Sequence, residues 1–177
     1  MKFSHPILSV SGLAIVLGAF IAGDAMAVTQ ARTLYSNPTG YCQAALPVFE
    51  TNLRKRPVAV QNEGSTNAFV SCAFTSQFSG ADNKPTEIGI YAQNLGSVAR
   101  DLTCTLVTGF ATGPLNQNIT KTVTLPVGGA QRLTTWEPAD FSGGDFPNFG
   151  PYSMSCNLLP GVGLNDSYIN FMEDVGA

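Results

Sequence analysis

From Trp136 to Tyr152 the chain reads Trp-Glu-Pro-Ala-Asp-Phe-Ser-Gly-Gly-Asp-Phe-Pro-Asn-Phe-Gly-Pro-Tyr, five aromatic rings and three acids in one glycine-rich stretch. Planar rings cover the apolar face of a sugar, and carboxylates accept its hydroxyl hydrogens. Trp136, Glu137, Asp140, Phe141, Asp145, Phe146 and Phe149 are therefore the candidate ligand-binding residues. A competing reading turns Phe141, Phe146 and Phe149 inward as a lid on the core. The same acids allow a third use, hydrolysis by a carboxylate pair made of Glu137 with Asp140 or Asp145.

Other chemistries are excluded by what the chain lacks. Its one histidine, His5, falls in an N-terminal leader. Without imidazole the mature chain has no Ser-His-Asp or Cys-His triad, no His-ligated zinc or copper, and no ordinary general base near neutral pH. The expectation is a protein with no catalytic residue, no cofactor and no resident metal. Calcium is the one cation with donors to weigh, at Asp140 and Asp145 or at Asn165 and Asp166. Neither set has the dense alternating spacing of a calcium loop.

The leader itself has three parts: Lys2, an apolar run from Ile7 to Ile21, and Gly-Asp-Ala-Met-Ala at 23–27. That is the pattern of a secretory signal peptide cleaved after Ala27. The apolar core is short for a membrane span, so the mature chain is expected to be secreted or periplasmic, with no membrane attachment. A net charge of −3 offers no basic footprint for nucleic acid. The partner is then a glycan or a protein outside the cytoplasm.

Four cysteines, Cys42, Cys72, Cys104 and Cys156, in an exported chain read as two disulfides. No C-x2-C knuckle favours zinc. Tyr152, Met154, Cys156 and Leu158 share one parity, and Leu102, Cys104 and Leu106 share another, which is the period of strands with one dry face. Both thiols point to the same interior, so Cys104 is expected to pair with Cys156, leaving Cys42 for Cys72.

Residues 1–27 are thus read as a signal peptide, 28–54 as an N-terminal arm with a short helix within 43–53, and 55–177 as one domain. Pro57 to Gln61 and Ala68 to Phe74 flank a polar turn and suggest a hairpin. Thr86 to Asn94 follows, with Ile88, Ile90 and Ala92 inward and Glu87, Tyr91 and Gln93 outward. Ile119 to Val127 is turned back by Gly128-Gly129 through Ala130 to Trp136, and Asp166 to Met172 closes the chain. Seven or eight short strands between turns rich in glycine and proline give an all-β fold, an antiparallel β-sandwich of immunoglobulin-like or jelly-roll-like type. Arg54-Lys55-Arg56 is a basic cluster suited to guarding a sheet edge. Asn118-Ile-Thr120 and Asn165-Asp-Ser167 match the glycosylation triplet, which is frequent by chance.

The segments Tyr41-Cys42-Gln43, Phe69-Val70-Ser71-Cys72, Leu102-Thr103-Cys104-Thr105-Leu106 and Tyr152-Ser153-Met154-Ser155-Cys156-Asn157-Leu158 together resemble small exported bacterial four-cysteine β-sandwich proteins. The resemblance spans nearly the whole mature chain. It implies a bacterial exported sandwich and transfers no catalytic or binding residue. Ile88 to Ser97, with its Asn94-x-Gly96 turn, is similar to early strands of immunoglobulin-like bacterial surface domains, an analogy of fold alone. The reading is an exported, non-catalytic binding or structural module. The alternatives are a glycan-binding domain using the 136–152 loop, an inhibitor of an exported hydrolase using the same loop, and a carboxylate-pair hydrolase.

Overall fold

The computed structural model describes residues 28–74, 84–110, 116–147 and 151–176. The expected signal peptide, His5 and Phe149 lie outside them. The described strands are β1 (Thr29–Ser36), β2 (Cys42–Ala44), β3 (Leu53–Arg56), β4 (Ala59–Asn62), β5 (Ala68–Ala73) and β6 (Pro85–Asn94), followed by β7 (Arg100–Thr108), β8 (Gln117–Leu125), β9 (Arg132–Trp136), β10 (Tyr152–Leu158) and β11 (Val162–Asp174). They form two antiparallel sheets. One runs β3-β4-β11-β6-β9 with β1 on the free flank of β11, and the other runs β2-β5-β10-β7-β8.

Alternation explains the layering. Ile88, Ile90 and Ala92 of β6 and Val162, Leu164 and Ile169 of β11 are buried, and they join one core with Val70 of β5, Leu102 and Leu106 of β7, and Met154 and Leu158 of β10. Burying such a side chain contributes about 1.5–3 kcal/mol, so each strand is committed to one face. Cys156 lies directly opposite Cys104, and Cys42 directly opposite Cys72. The structure bonds each pair, closing loops of sequence separation 52 and 30. Both cystines therefore staple neighbouring strands of a single sheet.

Two expected hairpins are not present, for a common reason. β4 pairs with β3 and β11 while β5 pairs with β2 and β10, so the turn at 63–67 carries the chain from one sheet to the other. Likewise β8 pairs with β7 and β9 with β6, so Gly128-Gly129 crosses between sheets. A buried asparagine makes the first crossing possible. Asn62 Nδ2 donates to Leu158 O of the opposite sheet at 2.7 Å and to Thr66 O at 2.8 Å, while its Oδ1 accepts from Gly64 N at 2.9 Å. Asn94 repeats the device, donating to Val98 O at 2.7 Å and across the core to Leu125 O at 3.3 Å, and accepting from Gly96 N at 2.9 Å. The backbone of the second crossing is tied to the same residue, through Gly129 N to Asn94 O at 2.9 Å.

The N-terminal segment also departs from expectation. Instead of a loose arm, β1 pairs with β11 over its whole length, from Thr29 opposite Asp174 to Ser36 opposite Ser167. All but Ser36 of its residues are exposed, so no apolar alternation marks it in the sequence. Its bonds include the ladder itself, Arg32 Nε to Glu173 Oε2 at 2.7 Å, Thr33 Oγ1 to Asn170 Oδ1 at 2.7 Å and Ser167 Oγ to Ser36 O at 3.2 Å. Residues 43–53 hold only a 3₁₀ turn at Pro47–Phe49, because Pro47 sets its start and β2 and β3 take the flanks. With β1, β2 and β3 added, the strand count rises to eleven among the described residues.

Candidate functional site

The described rings of the aromatic stretch, Trp136, Phe141, Phe146 and Tyr152, pack inward. Trp136 is fully buried, and its Nε1 donates to Ile119 O of the other sheet at 2.9 Å. Phe141 and Phe146 are also buried, with ring centroids 4.5 Å apart. Phe146 stands edge-on to Tyr152 at 6.0 Å, and Tyr152 donates its hydroxyl to Pro147 O at 2.6 Å. Burial pushes the Tyr152 phenol well above its ordinary pKa, and the Asp145 charge adds to that. These rings belong to the core, so Phe141 and Phe146 take the inward position of the lid reading, and they present no open platform.

Two of the three acids of the stretch are held by basic or backbone partners. Asp140 bonds Lys121 at 2.6 Å and accepts from Glu137 N at 2.7 Å. Burial pushes its carboxyl up, but the Lys121 hydrogen bond, the Glu137 N–H and the Lys121 charge outweigh that and hold it below the ordinary range. A general acid needs the opposite shift. Asp145 pairs with Lys84, and Glu137 is exposed. A cation at Asp140 and Asp145 would have to displace both ammonium groups, and no group of three or more His, Cys, Asp or Glu side chains converges among the described residues. At Asn165, the other calcium candidate, the side chain is buried. Beside Lys84 and Asp145 lies an open depression of about 300 Å³ whose walls include Gln117, Ser142 and Phe146.

A different surface gathers three tyrosines, of which Tyr35 is the exposed one. On the outer side of the first sheet, Tyr168 of β11 lies opposite Gly89 of β6 and opposite Tyr35 of β1. A Cβ at Gly89 would overlap the Tyr168 ring, so the glycine lets that ring lie down on the sheet. Tyr35 flanks it at 6.1 Å and Tyr91 at 6.0 Å between centroids. Tyr35 is 70% exposed, Tyr91 is half-buried, and Tyr168 between them is buried, with 7% of its surface exposed. Tyr168 donates its hydroxyl to Glu87, and Asp166 lies opposite Tyr91. Burial pushes the Tyr168 phenol up, and the bond to Glu87 and its charge push it further. Asn170, Gln93 and Thr135 have the same parity, and Leu133, 42% exposed, lies opposite Tyr91.

Sequence reasoning placed Glu87, Tyr91 and Gln93 outward but did not join them to Tyr35 or Tyr168, which come from strands at the two ends of the chain. The available signal was Gly89 between Ile88 and Ile90, a gap in a strand otherwise built to pack.

No family model and no curated protein sequence matches the chain. Among solved structures, it is similar to a family 11 carbohydrate-binding module from Clostridium thermocellum in complex with a β-1,3-1,4-mixed-linked tetrasaccharide, with 8% identity, a TM-score of 0.41, and coverage of 84% of this chain and 91% of that one. It is also similar to TmCBM61 in complex with β-1,4-galactotriose, with 11% identity, a TM-score of 0.41, and coverage of 80% and 88%. At such identities and scores these likenesses assign no residue and no ligand to this chain.

Proposed function

We propose that the chain is a non-catalytic binding module working outside the cytoplasm, and that its ligand is a glycan lying across the outer face of β1, β11, β6 and β9. The observation that carries this reading is the tyrosine row, with the exposed Tyr35 and the half-buried Tyr91 on either side of Tyr168, whose buried ring lies over Gly89 as the floor between them. An exposed ring contributes little to folding, yet it covers much apolar area when a sugar stacks on it. Glu87, Asn170, Gln93 and Thr135 surround the rings with acceptors and donors for hydroxyl groups. Four strands at about 4.8 Å spacing give a face about 14 Å wide, room for a short oligosaccharide. The two cystines fit an oxidising compartment, and no helix among the described residues is long and apolar enough to cross a membrane.

Affinity electrophoresis against soluble polysaccharides tests this reading. The wild-type protein is retarded by at least one polymer, and Tyr35→Ala, which removes an exposed ring, abolishes the retardation without lowering Tm. Equal mobility of the two proteins in every gel refutes it.

A second reading has its own observation. The exposed tip Ser142 to Asp145 is braced by Ser142 N to Gln117 Oε1 at 3.0 Å and by the Lys84–Asp145 pair. A rigid protruding loop suits the cleft of an exported hydrolase. Unchanged rates for a panel of glycosidases and proteases mixed with the protein would remove that alternative.

A further inference from the structure

Charge on the tyrosine face narrows the ligand. Among the described residues, the ionisable groups of its ring cluster other than the tyrosines are both acids, Glu87 bonded to Tyr168 and Asp166 opposite Tyr91. Basic residues on neighbouring strands are turned elsewhere. Arg32 of β1 has the opposite parity to Tyr35 and pairs with Glu173, and Arg132 of β9 has the opposite parity to Leu133. Arg54 and Arg56 share the outer side but sit on β3, two strands beyond β11, and both turn to Glu63. The Tyr35 and Tyr91 rings and two carboxylates, with no basic side chain in the cluster among the described residues, form a surface that attracts positive charge.

We infer that the glycan held on this face carries free amino groups, as an oligomer of glucosamine does, so that ammonium groups meet Glu87, Asp166 and the Tyr35 and Tyr91 rings while the sugar rings stack on the exposed Tyr35. This inference rests on the glycan reading and specifies its substrate class. An ammonium within about 6 Å of a ring centroid is attracted by the ring quadrupole. A half-exposed carboxylate adds a further attraction that salt weakens. Together these favour the amine form over its N-acetylated counterpart, which keeps the ring shape and loses the charge. They disfavour uronic acids outright.

Titration calorimetry at low salt, with glucosamine oligomers, N-acetylglucosamine oligomers of equal length and uronic-acid oligomers, tests the inference. Glucosamine oligomers are expected to bind about tenfold tighter than the acetylated series, with no binding of the acidic one. Glu87→Gln and Asp166→Asn should each reduce that preference roughly threefold. Glu50→Gln, which makes the same change in net charge on an exposed site elsewhere, should leave the preference intact. Equal or tighter binding of the acetylated or acidic oligomers overturns the inference but leaves the glycan reading standing, as does a preference that survives in the Glu87→Gln/Asp166→Asn double variant. No binding by any of the three series, together with unretarded migration in the polysaccharide gels, defeats both.

Discussion

Replacing Asn62 with alanine should unfold this protein far more readily than its position in a polar turn suggests. The side chain is fully buried and makes three hydrogen bonds, to Leu158 O at 2.7 Å, to Thr66 O at 2.8 Å and from Gly64 N at 2.9 Å. A net contribution of about 0.5–1.5 kcal/mol per bond, with a further cost for leaving buried partners unsatisfied, gives about 3 kcal/mol in all. For a domain of this size each kcal/mol shifts Tm by about 2–4 °C, so Tm should fall by about 6–12 °C. Equilibrium urea unfolding with the cystines intact is the assay, and the midpoint should drop at unchanged m. Asn62→Asp should be worse than alanine, because it keeps the acceptor, loses both donors and buries a charge among carbonyl oxygens. Asn94→Ala should cost somewhat less, since its bond across the core to Leu125 O is longer, at 3.3 Å. A loss below about 0.5 kcal/mol for Asn62→Ala would refute the claim that this residue ties the two sheets together.

Three other perturbations test separate parts of the structure. Gly89→Val should displace the Tyr168 ring and lower polysaccharide retardation as strongly as Tyr35→Ala does; retained binding with an intact fold by circular dichroism contradicts the proposed stacking. Asp140 has a depressed carboxyl pKa, so its stabilisation is present above the ordinary value of 3.8 and is lost as pH falls through the depressed one. Asp140→Asn should therefore be less stable at pH 7 and should lose less stability on acidification below about pH 4 than wild type; parallel stability curves contradict that. The Cys104→Ala/Cys156→Ala pair should cost about 4 kcal/mol, given its sequence separation of 52, read as a fall in the urea midpoint; an unchanged midpoint refutes the stapling role.

The sequence made the dry faces legible wherever a strand has one wet side. Ile88, Ile90 and Ala92, and the parities of Cys104 and Cys156, follow from alternation and lead to the sandwich and to both cystines. Which sheet a strand joins was not legible. A polar turn such as Asn62–Asn67 says that the chain changes direction, while its destination depends on Asn62 reaching Leu158, far along the sequence. β1 was hidden because both its faces are wet, so its pairing rests on backbone and polar contacts with β11. The 136–152 rings attracted attention by their density, but density does not distinguish a platform from a plug, and Trp136, Phe141 and Phe146 fill the core. The tyrosine face is the reverse case, built around one tyrosine from each of β1, β6 and β11 that only the register brings together.

The most direct test of the glycan-face proposal is amide chemical-shift mapping on the ¹⁵N-labelled full chain during titration with the polymer that retards it most. The account predicts shifts centred on Tyr35, Gly89, Tyr91 and Tyr168 and little change at Ser142 to Asp145. Shifts confined to the 142–145 tip, with the β1, β6 and β11 amides unmoved, would contradict it.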